Sequence, residues 1–179
     1  MKYKDYHKGL VKEYMEYIFL KIIKFGNISR GDKILDFGGG YGHFKKRLEQ
    51  FGNEFFYKTH ITVYDIVPEL SEIKDYTSWR GDIILCCHVL EHIPKKDLEI
   101  IIKNFKKINP HKLIVALPTE NIFSKIGVWI TNLKKTYEDI PHQLNYKEVN
   151  QLIEKHFTLK KRKYVCFKMT QISIYEDGN

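Results

Sequence analysis

The chain has 179 residues, with 30 Lys+Arg against 22 Asp+Glu for a net charge of +8, and 43% of its residues are hydrophobic. The length fits one domain at roughly 100 to 200 residues per domain, and the apolar fraction excludes a disordered or fibrous chain. The positive charge raises a nucleic-acid partner, but it comes from 26 Lys and only 4 Arg, in a chain with 23 Ile and a single Ala. Arg is the residue suited to bidentate phosphate and base contacts, so nucleic acid is not the favoured partner and the Lys excess reads as compositional background.

Cys86 and Cys87 are adjacent and Cys166 is far away, which is neither a metal-ligand spacing nor an even disulfide framework, and a reducing, cytoplasmic setting is expected. No apolar run approaches the roughly 18 to 20 residues of a membrane span, and the N-terminal region, with Asp5, Glu13 and Glu16 among its lysines, lacks a signal-peptide core. Neither secretion nor membrane insertion is expected.

In chain order, residues 10–25 carry apolar side chains at helical spacing and are stopped by Gly26 and Asn27. Residues 33–37 read as a buried parallel strand entering a glycine turn, and 43–51 resume a helical pattern. Strands follow at 61–64 and 82–87, then a helix over 95–108 with Asp97 in its first turn and Lys106 and Lys107 in its last. A strand at 112–117 is stopped by Pro118, and an amphipathic helix is predicted over 147–157. Residues 158–167 and 170–175 form a predicted terminal hairpin, adding one antiparallel strand at the sheet edge. Alternating strands and helices predict an α/β fold, a mostly parallel sheet with helices on both faces. The run Lys160-Lys-Arg-Lys163 reads as a solvated strand end.

The sharpest feature is Asp36-Phe-Gly38-Gly39-Gly40-Tyr-Gly42, placed between a strand and a helix. Glycines there let the backbone turn tightly and approach a ligand, while the helix start offers free N–H groups. Asp65 ends the next strand on the same sheet edge, placed to accept hydrogen bonds from a ribose diol. The dinucleotide fingerprint needs a glycine where His43 stands, and no Gly-Lys-Ser/Thr follows as in a phosphate loop. An acid before the turn also repels phosphate and suits a cationic ligand.

With Asp82-Ile-Ile-Leu-Cys-Cys-His-Val-Leu-Glu-His-Ile93 following, the chain resembles the class I S-adenosylmethionine-dependent methyltransferases, in particular the small-molecule type with a Val-Leu-Glu-His segment after the fourth strand. The resemblance spans about residues 30–175 and implies a single-domain Rossmann-like fold with S-adenosyl-L-methionine as cofactor. It implies that the turn of Gly38, Gly39, Gly40 and Gly42 lies under the methionine portion and that Asp36 orients its ammonium. Asp65 would hold the ribose hydroxyls, Ile66 would lie against adenine, and Cys87 and His88 would face the methionine end. Only 16 residues separate Asp65 from Asp82, too few for the family's usual helix, third strand and adenine loop. Either that helix is reduced to a turn or the third strand is vestigial. Asp75 is the candidate acid for the adenine amino group, with Tyr76 or Trp79 flanking the ring, against the plainer reading of an acid in a solvated loop.

His88-Val-Leu-Glu91-His92 matches the His-x-x-Glu-His pattern of inverted zinc proteases, but His88 stands at a strand end rather than on a long helix, so no metal is expected. Glu91 and His92 are instead read as capping the turn that walls the cofactor. The cysteines are read as buried small residues. His88 and His142 are the candidate catalytic bases, their type suited to taking an acceptor proton near neutral pH. Residues 1–29 are read as a helix on the substrate side and 30–179 as the cofactor-binding domain, with 120–145 a candidate lid. The lid carries Ile122, Phe123, Ile126, Val128, Trp129, Ile130 and Tyr137, which favours a small apolar or aromatic acceptor. The alternatives are an RNA or protein methyltransferase using the basic surface, and a non-catalytic cofactor-binding module. The sequence leaves the oligomeric state open.

Overall fold

The computed structural model of the chain describes residues 9–50, 59–119 and 141–178. Its elements are α1 (Gly9–Phe25), β1 (Lys33–Phe37), α2 (His43–Gln50), β2 (His60–Tyr64), β3 (Ile83–Cys87), α3 (Lys95–Ile108), β4 (Lys112–Pro118), α4 (Tyr146–Ile153), β5 (Phe157–Val165) and β6 (Thr170–Asp177). One six-stranded sheet runs in the order β2-β1-β3-β4-β6-β5. The first four strands are mutually parallel, and β6 is antiparallel to both β4 and β5. This is the predicted α/β architecture with its C-terminal hairpin.

The hairpin differs from expectation in one respect: the antiparallel strand β6 lies inside the sheet, and β5 forms the edge. Burial explains the order. Residues 170 to 175 of β6 are all buried, whereas β5 exposes most of its Lys- and Arg-rich middle, so only β6 is apolar enough to be covered on both faces. A register shift at Lys160 accommodates the bend of the edge strand. The turn between them holds Cys166, Phe167 and Lys168 at φ of +50°, +53° and +62°. It is pinned by the Thr119 N–H donating to the Met169 carbonyl at 2.8 Å and by the Thr119 hydroxyl donating to the Lys168 carbonyl.

Strand alternation divides the core in two. Leu35, Phe37, Ile84, Cys86, Leu113 and Val115 face α3 and α4, while Ile34, Ile83, Leu85, Ile114 and Ala116 face α1 and α2. Helix α1 buries Ile18, Phe19, Ile22 and Ile23, the stripe its sequence period predicts. It ends at Asn27, whose φ of +47° takes the chain out of the helix. Helix α4 is shorter than predicted, and Phe157 opens β5 rather than closing the helix. Its start is set by a reciprocal cap missed in the sequence: Asn145 Oδ1 accepts from the Lys147 and Glu148 N–H groups, and Glu148 Oε2 accepts from the Asn145 N–H.

Between β2 and β3 the chain forms only two single-turn 3₁₀ helices, Pro68–Leu70 and Tyr76–Ser78. The family's intervening helix is thus reduced to turns, and no strand forms among these residues. Tyr76 instead packs beside Phe37, Tyr64 and Phe105, so an aromatic cluster closes the sheet edge where a longer insertion would have covered it.

Candidate active site

The site builds from the carboxyl ends of β1, β2 and β3, where parallel strands of an open α/β sheet present their loops. Asp36 is the penultimate residue of β1 and is 3% exposed. Its side chain turns toward the glycine turn, and Oδ2 has no hydrogen-bond partner. Burial, with the carboxylates of Asp65 and Glu72 nearby, pushes its carboxyl up to about 7. A buried acid in this state lacks a cation.

The turn depends on its glycines at two points. Gly38 and Gly40 take φ of +74° and +52°, which β-carbon-bearing residues adopt at a cost. A Cβ on Gly38 would also meet Val89 Cγ2 at 2.3 Å, so the turn lies against the loop after β3. Tyr64, at the end of β2, accepts from the Gly38 N–H at 2.7 Å. Asp65 Oδ2 accepts from the Gly40 N–H at 3.0 Å, and Oδ1 accepts from the Val67 N–H at 3.0 Å. Each carboxylate oxygen keeps a second lone pair. Beside it Ile66 is 88% exposed.

These residues fit the cofactor of the resembled family. The orphaned oxygen of Asp36 suits an ammonium, the free lone pairs of Asp65 suit two hydroxyls, and the turn offers backbone without side chains. Asp75, Tyr76 and Trp79, the candidates for the adenine end, each make a local contact. Asp75 caps the second 3₁₀ turn, accepting from the Thr77 N–H at 2.8 Å and the Thr77 hydroxyl at 2.7 Å, and these bonds hold its carboxyl below the usual range. Tyr76 is committed to the core and accepts from Asn104 at 3.1 Å, and Trp79 packs over Gly81. Asp75 stands exposed in the stretch between β2 and β3.

Strand β3 delivers the third wall. Cys86 points into the α3 side of the core and Cys87 to the α1 side. Burial pushes both thiols well up, with Asp36 adding to it, so neither is a thiolate. His88 follows with φ of +52°, rare for a residue with a side chain. Its N–H donates to the Ala116 carbonyl at 2.9 Å. Nε2 is 3.4 Å from the Thr170 hydroxyl, which in turn bonds the Tyr14 hydroxyl of α1. Burial, with His92 and His142 nearby, lowers His88 to about 4, so the imidazole is neutral at physiological pH. Tyr14 and Thr170 were not legible as site residues, being read as one apolar position on a helix and the start of a strand.

Glu91 and His92 fall in a 3₁₀ turn, Leu90–His92. The expected side-chain caps are not formed. Instead the Glu91 carbonyl accepts from the Gln143 N–H at 2.8 Å and the Leu144 N–H at 3.2 Å, tying down the segment that carries His142. The Glu91 side chain is 1% exposed, neither oxygen has a hydrogen-bond partner, and burial pushes its carboxyl up to about 8. His142 is exposed, and its ring meets the His92 ring at 4.9 Å between centroids. The candidate bases His88 and His142 therefore both stand beside a buried acid.

Of the predicted lid, residues 120–140 lie outside the described residues. A cavity of about 440 Å³ lined by Asn109, Pro110, His111, Lys112, Glu176 and Asp177 lies at the opposite sheet edge, away from all of this chemistry. No helix among the described residues is long and apolar enough to cross a membrane.

Comparison with known proteins agrees with the geometry. The family described as methyltransferase domain matches residues 11–158. The PH0226 protein of Pyrococcus horikoshii OT3 superposes with a TM-score of 0.73 at 14% identity, over 99% of this chain and 96% of its own. The TehB-like SAM-dependent methyltransferase of Corynebacterium glutamicum gives 0.59 at 12% identity, over 93% and 97%. Magnesium protoporphyrin IX methyltransferase of Synechocystis PCC 6803, solved with bound SAH, gives 0.57 at 12% identity, over 93% and 83%. No curated protein matches by sequence. With a family match over most of its length and a fold shared with these structures, the chain belongs to the methyltransferase-domain family and is a class I S-adenosylmethionine-dependent methyltransferase.

Proposed function

We propose that the chain methylates a small, apolar or aromatic acceptor, holding the cofactor through Asp36, Asp65 and the turn from Gly38 to Gly42. The observation that carries the cofactor assignment is the buried, unpartnered Oδ2 of Asp36 beneath that turn. A buried carboxylate is unfavourable without a cation, and an amino-acid ammonium supplies one. Asp65 accepts two hydroxyls on its free lone pairs while Gly40 and Val67 keep it oriented. Ile66 covers the base, and Cys87 and His88 close the methionine end.

When bound, S-adenosylmethionine supplies an electrophilic methyl group on a sulfonium, open to in-line attack. The protein's part is alignment and exclusion of water. His88 is neutral and fixed by Thr170 and Ala116, so it is ready to accept a hydrogen bond or proton from an acceptor. His142 is the second candidate base, on the exposed rim. Helix α1, linked to the site by Tyr14, forms the acceptor side. The similarity to magnesium protoporphyrin IX methyltransferase, together with the apolar composition of residues 120–140, supports a small apolar or aromatic acceptor.

Calorimetry with S-adenosylhomocysteine tests the cofactor assignment: saturable binding lost in Asp36→Ala and Asp65→Ala is expected, and no binding to the wild type overturns it. Transfer of labelled methyl to a panel of aromatic hydroxyl and amine compounds then tests the acceptor class.

A further inference from the structure

Beside the cofactor turn lies a second group of side chains, of which the methyl-transfer reading uses only His142, as a candidate base. One donor atom each from Glu91, His92 and His142 lies within 4.8 Å of the others. Glu91 is 1% exposed, and neither carboxylate oxygen has a hydrogen-bond partner. The closest imidazole nitrogens, His92 Nε2 at 3.9 Å and His88 Nδ1 at 4.0 Å from Oε1, are beyond hydrogen-bonding distance. The carboxylate is therefore aimed into a space ringed by imidazoles.

We propose that Glu91, His92 and His142 bind a divalent transition-metal ion of the zinc class, leaving a coordination position open to an oxygen of the methyl acceptor. One carboxylate with two imidazoles is a donor set for a borderline metal rather than for calcium or magnesium, which take oxygen ligands. Three protein ligands also fall short of the usual four, which leaves room for an exogenous one. Two donors at about 2.1 Å from one ion in a tetrahedral arrangement stand about 3.4 Å apart, so donors now within 4.8 Å of one another draw together by up to about 1.4 Å when the ion binds.

The backbone is arranged to hold this set. The Glu91 carbonyl accepts from Gln143 and Leu144, so the acid itself anchors the segment bearing His142, and the Asn145 cap fixes the far end of that segment. Val89, two residues before Glu91, packs against Gly38 of the cofactor turn, which places the ion beside the methyl-transfer site. The His-x-x-Glu-His run by itself argued against a metal, because His88 stands at a strand end rather than on a long helix. The fold replaces His88 by His142, a ligand from 50 residues away.

Metal binding is independent of the cofactor reading, whereas the open position toward an acceptor rests on it. The test uses chelator-treated protein titrated with Zn²⁺ in a calorimeter, with S-adenosylhomocysteine titrated separately. One equivalent of Zn²⁺ is expected to bind and to raise the melting temperature. His142→Ala and His92→Ala are each expected to weaken that binding by at least about tenfold, with S-adenosylhomocysteine affinity unchanged. Because His142 is exposed, its replacement leaves the fold intact even if Glu91→Gln does not. Absence of saturable Zn²⁺ binding, or equal binding in both histidine variants, overturns the metal site while leaving the cofactor reading standing. Zn²⁺ binding without S-adenosylhomocysteine binding does the reverse. In Co²⁺-loaded protein, acetate is expected to shift the visible absorption, and an unchanged spectrum overturns the open position.

Discussion

Gly39 sits directly over the carboxylate of Asp36: a β-carbon on Gly39 would lie 2.6 Å from Asp36 Oδ2 and 3.0 Å from Val63 Cγ1. The glycine therefore keeps clear an unpartnered oxygen that the site offers a cation. Gly39→Ala is expected to displace Asp36 and strain the turn by about 1 to 3 kcal/mol. Thermal unfolding should show the loss of stability, and calorimetry a drop in S-adenosylhomocysteine affinity. A variant with wild-type values in both would mean that the turn tolerates a side chain there.

The raised carboxyl of Asp36, at about 7 against 3.8 unperturbed, has a defined sign. The folded protein holds this proton more tightly than the unfolded chain, so the group makes no pH-dependent difference below about 4. It lowers stability progressively between there and about 7, and the deficit persists above. Asp36→Asn should thus gain stability relative to wild type as pH rises from 4 to 8, read as melting temperatures across that range. Ligand binding runs the other way, because the ammonium pairs with the ionised form. Wild-type affinity for S-adenosylhomocysteine should rise from pH 6 to 8, and Asp36→Asn should bind weakly with that rise abolished.

Asp65 combines two backbone bonds with two free lone pairs. Asp65→Ala removes charge-assisted hydrogen bonds worth about 1.5 to 3 kcal/mol each, a loss of roughly 10- to 100-fold in affinity per bond. Asp65→Asn retains one acceptor oxygen and should fall between. Equal affinity in all three proteins would detach Asp65 from the ribose.

His88 occupies a left-handed backbone position at φ of +52°, which Asn tolerates better than Ala. His88→Asn is accordingly expected to be more stable than His88→Ala, with both retaining cofactor affinity. Turnover with the true acceptor should fall in both. A full rate in His88→Asn would remove the imidazole from the chemistry and leave it the role of shaping the strand end.

Tyr14 and Thr170 join α1 to β6 across the mouth of the site. Tyr14→Phe removes one hydrogen bond of about 1 kcal/mol, which for a chain of this size lowers the melting point by roughly 2 to 4 °C. An unchanged melting point would show that the burial of Ile18 and Ile22 alone holds the helix.

What the amino-acid sequence determined by itself is local. A strand, a glycine turn and a helix in succession, an acid at the end of the next strand, and too short a run between Asp65 and Asp82 are all consequences of short-range backbone chemistry. They were sufficient for the fold class, the family and an abbreviated stretch after Asp65, but left open whether helix or strand was lost there. The tertiary structure decided what depends on groups distant in sequence. β6 enters the sheet because it alone can be buried on both faces, and Asp36 loses its ordinary acidity because two other carboxylates and the core surround it. Asp75 turns to its neighbour Thr77, a cap that the residue types alone did not announce. Glu91 and His92 look like turn residues until His142 is folded against them. Only that long-range placement strips water from the Glu91 carboxylate without supplying a hydrogen bond, which a linear reading of residue types does not contain.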